Sequence, residues 1–264
     1  MNTDRKLTRS PFALSLIAAC AGLPTPLAYA AETGAPNPDR LAQAQAALRL
    51  ISEDLGSMVA YRPMMAPGGG TGTHGLDIGT AVLFNQIRNR DVLAAGLGGA
   101  AGAQDVPAAL PQYALRIDKG LPLNGSNQSW NLDAGLSLSK VVDADITVVG
   151  ANLRWGFVEE RQWLPAMSLR LAVSKLVGVD QLALKTTSYD IGMSKSFYLF
   201  TPYIGIGQVA VSATPAGGGL QAEEFTLLRT YAGINLAVRQ LNLLMEVDKT
   251  GEAANLGVKL GFRY

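Results

Sequence analysis

The sequence predicts an all-β fold, an antiparallel up-and-down transmembrane β-barrel of about ten strands with a short N-terminal helical segment. Side chains alternate in polarity at period two from residue 74 onward, and the alternating segments cluster around the ~9–11 residues of a tilted membrane strand. The candidate strands are 75–86, 113–121, 130–140, 145–156, 165–175, 184–194, 201–212, 226–239, 241–248 and 254–264. A twelve-strand barrel stays open if 55–62 pairs with another segment near the start.

The amino-terminal residues have the pattern of an export signal. The basic segment 5–9 precedes the uncharged, largely apolar stretch 12–23, and Ala28 and Ala30 supply the small residues that signal peptidase requires. The apolar stretch is too short to span a bilayer as a helix, which takes ~20 residues. We therefore expect residues 1–30 to be removed as a signal peptide.

Lipidation is a second interpretation of the same region. Residues 17–20 resemble a lipobox, in which Cys20 would become a lipid-modified amino terminus. Pro24 and Pro26 break the helix before the cleavage site and favour ordinary cleavage after Ala30.

Cysteine and charge counts exclude several classes of function. Cys20 is the only cysteine, so a chain cleaved after Ala30 has no disulfide, no cysteine-ligated metal and no nucleophilic thiol. The sequence has 22 basic and 21 acidic residues, and removal of residues 1–30 leaves 19 and 20. Nucleic-acid binding needs a basic excess that this balance lacks. We expect no cofactor and no nucleic-acid partner.

The region before the strands combines a linker with a helix. Residues 31–38 are small residues and prolines, whereas 39–55 carry an apolar stripe at helical spacing. Whether 39–62 plugs the barrel or lies in the periplasm stays open at this point. The predicted organisation is a signal peptide at 1–30, a linker and helical segment at 31–73, and the barrel at 74–264.

The two faces of the candidate strands differ in charge. One face is apolar and uncharged, and a charge there would cost ~2–4 kcal/mol near the bilayer midplane. The other mixes seven bases with six acids, as a paired barrel interior would. The remote alternative is a soluble periplasmic β-protein whose polar face meets solvent. The predicted lumen network is Asp77, Arg116, Asp118, Asp133, Arg154, Arg170, Asp190, Arg229, Tyr231, Arg239, Glu246, Asp248, Lys259 and Arg263.

The last strand and the loop lengths predict an orientation. If Tyr264 ends on the periplasmic side, the two longest predicted loops, 87–112 and 213–225, both lie outside, as is typical of outer-membrane barrels. An alternating strand with a terminal aromatic is also the pattern of their assembly signal, so we expect this strand to contact the barrel-assembly machinery. The signal residues are Leu256, Val258, Leu260, Phe262 and Tyr264.

From residue 74 to the end, the chain resembles uncharacterised outer-membrane β-barrel proteins of Gram-negative bacteria. The resemblance rests on the terminal Gly261-Phe262-Arg263-Tyr264, the strand-like 201–207 and the turn-like segments 119–122, 194–197 and 249–251. It implies an exported barrel in contact with outer-membrane lipid. These segments carry no catalytic motif, so the resemblance leaves the activity open.

The sequence offers no convincing catalytic or metal site. The sole histidine, His74, is predicted at the periplasmic start of the first strand, whereas barrel hydrolases generally place theirs near the external rim. Glu246 and Asp248 share a strand face and could bind a cation, but Lys259 and Arg263 are expected to neutralise them. We therefore expect neither a metal nor an enzymatic activity.

Two functional hypotheses follow from the predicted lumen. Barrels of about 8–10 strands are narrow, so long charged side chains would largely fill the lumen and block large solutes. The first hypothesis is a structural or binding barrel that acts through its external loops. The second is a narrow channel for small solutes or ions along a wall of small residues. That wall comprises Gly205, Gly207, Gly233, Gly257 and Gly261.

Overall fold

The computed structural model describes residues 38–68, 71, 75–96, 106–121, 131–142, 146–217 and 219–264. Three predictions lie outside the described residues: the signal peptide with Cys20, Ala28 and Ala30, the position of His74, and the linker before residue 38. None of the described helices is long and apolar enough to cross a bilayer.

Ten antiparallel strands form a closed barrel. The strands are β1 Leu76–Gln86, β2 Ala109–Gly120, β3 Asn131–Val141, β4 Thr147–Val158, β5 Ala166–Val177, β6 Leu182–Ser194, β7 Phe200–Pro215, β8 Glu223–Val238, β9 Leu241–Thr250 and β10 Ala253–Arg263. Each strand pairs with its sequence neighbours, and β1 pairs with β10 to close the sheet. The predicted all-β barrel and its count of ten strands are confirmed.

The alternative of twelve strands is wrong. Residues 55–59, which would have supplied further pairing, are the end of helix α1 (Pro38–Val59), and residues 60–62 form no strand. Helix α1 is longer at both ends than the predicted 39–55. A second helix, α2 (Arg90–Gly96), lies in the connection between β1 and β2.

The barrel has two ends, which we name by what they hold. The terminal end holds Leu76 and Tyr264, whose backbone groups exchange two hydrogen bonds of 2.8 Å across the β1–β10 seam. The opposite end, called the loop end, holds the longest connection, 87–108.

The second predicted long loop is shorter than expected. Strands β7 and β8 extend toward the loop end and reduce the predicted loop 213–225 to residues 216–222. The second-longest connection is instead 121–130, at the terminal end. The prediction that the two longest connections share one end is wrong, because Val211 and Ala213 pack inside the barrel and β7 stays paired as far as Pro215, beyond its predicted end at residue 212.

The barrel is apolar outside and charged inside. Outward side chains such as Leu136 (65% exposed) and Leu171 (53%) are apolar, whereas inward Asp77, Arg170 and Lys259 are almost fully buried. A soluble protein has the reverse arrangement, with its apolar side chains in the core and its charges in water. This exterior is therefore suited to lipid.

Helix α1 enters the barrel at the loop end. Its carboxyl-terminal half packs Leu48 and Leu55 against inward side chains of the wall, including Val209 and Val211. Its amino-terminal part, residues 38–43, is exposed beyond this cluster. The helix from Leu48 onward is thus inside the barrel mouth, whereas residues 38–43 project from it.

Candidate functional site: a lumen closed by residues 60–68

Residues 60–68 continue from helix α1 through the lumen toward the terminal end, and we call this segment the plug. Just before it, the Ser174 hydroxyl of β5 donates to the carbonyl oxygen of Val59 at 2.7 Å. Near its other end, Arg154 of β4 donates to the carbonyl oxygen of Ala66 at 2.9 Å. The question of whether the predicted 39–62 segment fills the barrel is thus answered: its second half lies inside.

Side chains of the wall bind the backbone of the plug. Arg116 donates to the carbonyl oxygen of Arg62 at 2.8 Å, and the Met64 N–H donates to a Glu246 carboxylate oxygen at 3.1 Å. An irregular segment buried in a barrel cannot satisfy its own backbone polar groups, and leaving them unpaired is costly. These hydrogen bonds therefore stabilise the plug in this one path.

Arg62 attaches the plug to strand β9 by an ion pair. Its Nε lies 2.9 Å from Asp248 Oδ1, and both side chains are 2% exposed. Arg229 approaches Asp248 to 3.7 Å and Glu246 to 3.9 Å, and it donates to the carbonyl oxygen of Tyr61. Two bases and two acids are thus balanced in this part of the lumen.

A second set of ion pairs lies toward the terminal end. One carboxylate oxygen of Asp77 contacts the Lys259 ammonium group. The other lies 3.1 Å from a guanidinium nitrogen of Arg263. Asp133 forms an ion pair with Arg154, the arginine that also binds the plug backbone. Charged side chains of four strands therefore surround the end of the plug in this region.

The predicted neutralisation of Glu246 and Asp248 by Lys259 and Arg263 is wrong. The β9–β10 register places a glycine and an asparagine opposite the two acids, so both cations bind Asp77 instead. Arg62 and Arg229 balance the two acids. Within the described part of the chain, no group of histidine, cysteine and acidic side chains could hold a metal ion.

Tyrosine rings occupy part of the glycine wall that the channel hypothesis invoked. A Cβ on Gly205 would lie 2.1 Å from the Tyr231 ring, and one on Gly233 would lie 2.3 Å from the Tyr203 ring. Each tyrosine hydroxyl donates to a buried acid of the lumen, at 2.7 and 2.8 Å. The glycines at 205 and 233 therefore provide room for these rings.

Asp54 attaches helix α1 to the β1–β2 connection. One of its carboxylate oxygens accepts from the backbone N–H groups of Arg88 (3.2 Å) and Asn89 (2.9 Å) and from the Asn89 amide (3.2 Å). Burial raises the pKa of Asp54 above its ordinary value, although these hydrogen bonds oppose the rise. The helix is thus held by the loop end as well as by the wall.

Most of the predicted lumen residues lie inside the barrel. Arg263 lies at the rim, with its side chain 40% exposed. The prediction for Arg239 is wrong: β8 ends at Val238, and Arg239 follows in an exposed turn with φ 55°. The buried residues are Asp77, Arg116, Asp118, Asp133, Arg154, Arg170, Asp190, Arg229, Tyr231, Glu246, Asp248 and Lys259.

Sequence reasoning left the position of residues 39–62 open and gave Arg62 no role, since an irregular segment has no period to detect. A usable signal did exist on the strands. Near the loop end, Val148, Leu184 and Val209 are apolar although they occupy inward positions of their strands. An apolar patch inside a barrel requires an apolar partner, which helix α1 supplies.

No family model and no curated protein matches this sequence. Among solved structures, it is similar to the N-terminal β-barrel domain of Pseudomonas aeruginosa OprF, at 11% identity over 73% of this chain and 99% of that one, with a TM-score of 0.35. It is also similar to the translocator domain of the autotransporter NalP from Neisseria meningitidis, at 10% identity over 73% of this chain and 88% of that one, with a TM-score of 0.40. A third similar structure is outer membrane phospholipase A from Escherichia coli, at 10% identity over 78% of this chain and 97% of that one, with a TM-score of 0.37. The likeness concerns the fold alone.

Proposed function

We propose that this chain is an exported outer-membrane barrel of a Gram-negative bacterium, closed by its own plug, with a structural or binding role at the loop end. The support for the location is physical. Its strands expose apolar side chains and bury charged ones, which is stable only with lipid outside. The loop end faces outward in this proposal, because it holds the longest connection.

The observation that carries the closed state is the plug with its bonds to the wall. Arg62 and Asp248 are both buried and paired, and wall arginines bind successive plug carbonyls. To open a continuous path, the plug would have to leave, and Asp248 would lose one of its two cationic neighbours. Removing one member of a buried pair costs about 3–5 kcal/mol, so the open state is rare.

The binding surface in this proposal is the loop end. The exposed part of α1, residues 38–43, precedes Gln45, which is hydrogen-bonded to Gln221 of the β7–β8 connection (3.1 and 2.9 Å). Helix and loops are thus held together as one surface. The role is non-enzymatic in this proposal, because the buried acids and bases bind one another and the plug.

Two further partners belong to the proposal. The outward side chains of the barrel contact outer-membrane lipid. Strand β10 presents Leu256, Leu260 and Phe262 outward and completes the seam with β1, so it is suited to present the assembly signal to the barrel-assembly machinery.

The test is single-channel conductance of a chain whose plug can be locked. An ideal Cβ on Gly56 lies 3.5 Å from the Val211 Cβ, within the range that a disulfide spans. We expect the mature Gly56→Cys/Val211→Cys chain, which has no other cysteine, to form this disulfide on oxidation. Conductance is then measured in a planar bilayer for wild type and for the variant, oxidised and reduced.

Each result assigns a different function. Silence of wild type and of both redox forms, with heat-modifiable migration that verifies the folded barrel, supports the closed barrel. Discrete openings that vanish on oxidation and return on reduction would establish a gated channel, the alternative function, and overturn the proposal. Openings that persist in the oxidised form would mean that solutes pass around the plug.

A further inference from the structure

Two lysines face lipid side by side near the loop end. Lys175 of β5 and Lys185 of β6 are direct partners in the β5–β6 register, and both are exposed at outward positions. Cβ atoms of such partners lie about 4.5–5.5 Å apart, and like charges placed this way destabilise a sheet. The pair therefore needs a source of negative charge.

Within the part of the chain that the structure describes, no acidic side chain pairs with either lysine. Among the described residues, neither lysine forms an ion pair, although Asp180 lies in the turn that joins the two strands. The outward carboxylate at the same height on the barrel is that of Glu224. Lys185 pairs with Ser212 of β7 and Ser212 pairs with Glu224 of β8, so Glu224 is two strand spacings of about 4.8 Å each away from Lys185. By contrast, the outward Lys249 elsewhere at the loop end binds Glu252 at 3.1 Å.

An apolar groove lies beside the lysine pair. Leu136, Val149, Ala151 and Val173 line it, together with the two lysines and Thr187. Small side chains in the middle of the groove leave a depression of about 440 Å³ on the outer surface of the barrel. Its chemistry is that of a lipid site, with cations toward the strand ends and an apolar surface toward the membrane interior.

The height of the lysines on the barrel fits this chemistry. Lys175 lies two residues before the end of β5 at Val177, and Lys185 lies three residues after the start of β6 at Leu182. Lysine stems near the ends of membrane segments extend along apolar surface and place the ammonium group at the interface. Lipid headgroup phosphates lie at that depth.

We propose that Lys175, Lys185 and the adjoining groove form a binding site for a phosphorylated lipid in the leaflet that surrounds the loop end. The two ammonium groups bind its headgroup phosphate, and the groove holds part of an acyl chain. The phosphate removes the repulsion between the lysines. The site is on the outer surface, so it does not depend on whether the lumen conducts.

Lipid retention by native mass spectrometry tests this site. The mature chain is refolded in detergent micelles that contain either bis-phosphorylated lipid A or the same lipid without its phosphates. Lys175→Gln/Lys185→Gln is compared with wild type and with Lys119→Gln/Lys249→Gln, which removes the same charge from outward positions outside the groove. The two single variants are measured as well, and heat-modifiable migration verifies folding.

We expect wild type and the control to retain phosphorylated lipid A. A lysine near a membrane surface contributes to anion binding by about fivefold, so the double variant should lose roughly 25-fold and each single variant about fivefold. Equal retention by the double variant and wild type would overturn the site. An equal loss of lipid retention in the control variant, or equal binding of the dephosphorylated lipid by wild type, would also overturn the site. Displacement of phosphorylated lipid A by millimolar inorganic phosphate would overturn it as well, because the lysines would then bind a free anion.

Discussion

Arg62 of the plug and Asp248 of strand β9 form a buried ion pair, with 2.9 Å between Nε and Oδ1. The pair joins the irregular segment to the wall at the level where Arg229 also approaches Asp248. It is therefore the contact whose loss should most directly loosen the plug.

We predict that Arg62→Met destabilises the folded barrel by about 3 kcal/mol, because it leaves Asp248 buried with Arg229 alone, 3.7 Å away. The measurement is urea unfolding of the refolded mature chain, followed by heat-modifiable migration. Lys249→Met is the control: its partner Glu252 is exposed, so the loss should stay below about 1 kcal/mol.

A second variant tests whether the pair itself is responsible. In the Arg62→Met chain, the Asp248 carboxylate has lost one of its two cationic partners, and Asp248→Asn on that background removes its charge. The double variant should therefore lose less stability than the sum of the losses of the two single variants. Strict additivity would show that Arg62 acts through packing and not through Asp248.

We predict that Gly205→Ala displaces the Tyr231 ring and costs about 1–3 kcal/mol, because the new methyl group would lie 2.1 Å from the ring. The displacement would also break the 2.7 Å hydrogen bond from the Tyr231 hydroxyl to Asp190. Thermal unfolding checks the loss. On a Tyr231→Val background the same change should cost almost nothing, and an undiminished cost there would contradict the steric explanation.

Asp54 gives a prediction with a defined pH dependence. Burial raises its pKa in the folded state, so the folded chain binds this proton more tightly than the unfolded chain. The contribution of Asp54 to stability is therefore greatest below its unfolded pKa and declines as pH rises through its folded pKa.

We accordingly expect Asp54→Asn to raise the melting temperature at pH 7, with a gain that shrinks as the pH falls toward 4. The amide oxygen can still accept from Arg88 and Asn89, while the buried charge is gone. Melting curves from pH 4 to 8 measure this difference. A variant that is less stable than wild type at pH 7 would mean that the hydrogen bonds need the full carboxylate.

The strands could be predicted from the sequence because period-two alternation is imposed at each position by lipid outside and charge inside. Arg170 and Asp190, for example, were placed on one face from polarity alone, and they are direct partners in the β5–β6 register. Arg239 was misplaced because alternation continues by chance one residue past the end of β8.

The plug could not be predicted in the same way. Its position depends on long-range contacts, such as Arg62 with Asp248, that no local pattern encodes. The partner of Lys259 was missed for a related reason. A two-residue shift in the β9–β10 register would place Lys259 opposite Glu246, whereas in the observed register it binds Asp77. Side-chain alternation is the same in both registers, so it cannot distinguish them.

The final prediction separates assembly in the cell from stability of the fold. Phe262 and Tyr264 face outward, 49% and 82% exposed, so Phe262→Ala/Tyr264→Ala should refold in detergent with a loss below about 1 kcal/mol. If strand β10 carries the assembly signal, the same variant should accumulate far less heat-modifiable protein in the outer membrane of cells.

Tyr113→Ala, which removes an outward aromatic of β2 that is 61% exposed, is the matched control and should assemble normally. Equal assembly of the two variants would remove the signal from β10. A large loss of stability in detergent would instead assign the terminal aromatics to the β1–β10 seam, where Tyr264 and Leu76 already exchange backbone hydrogen bonds.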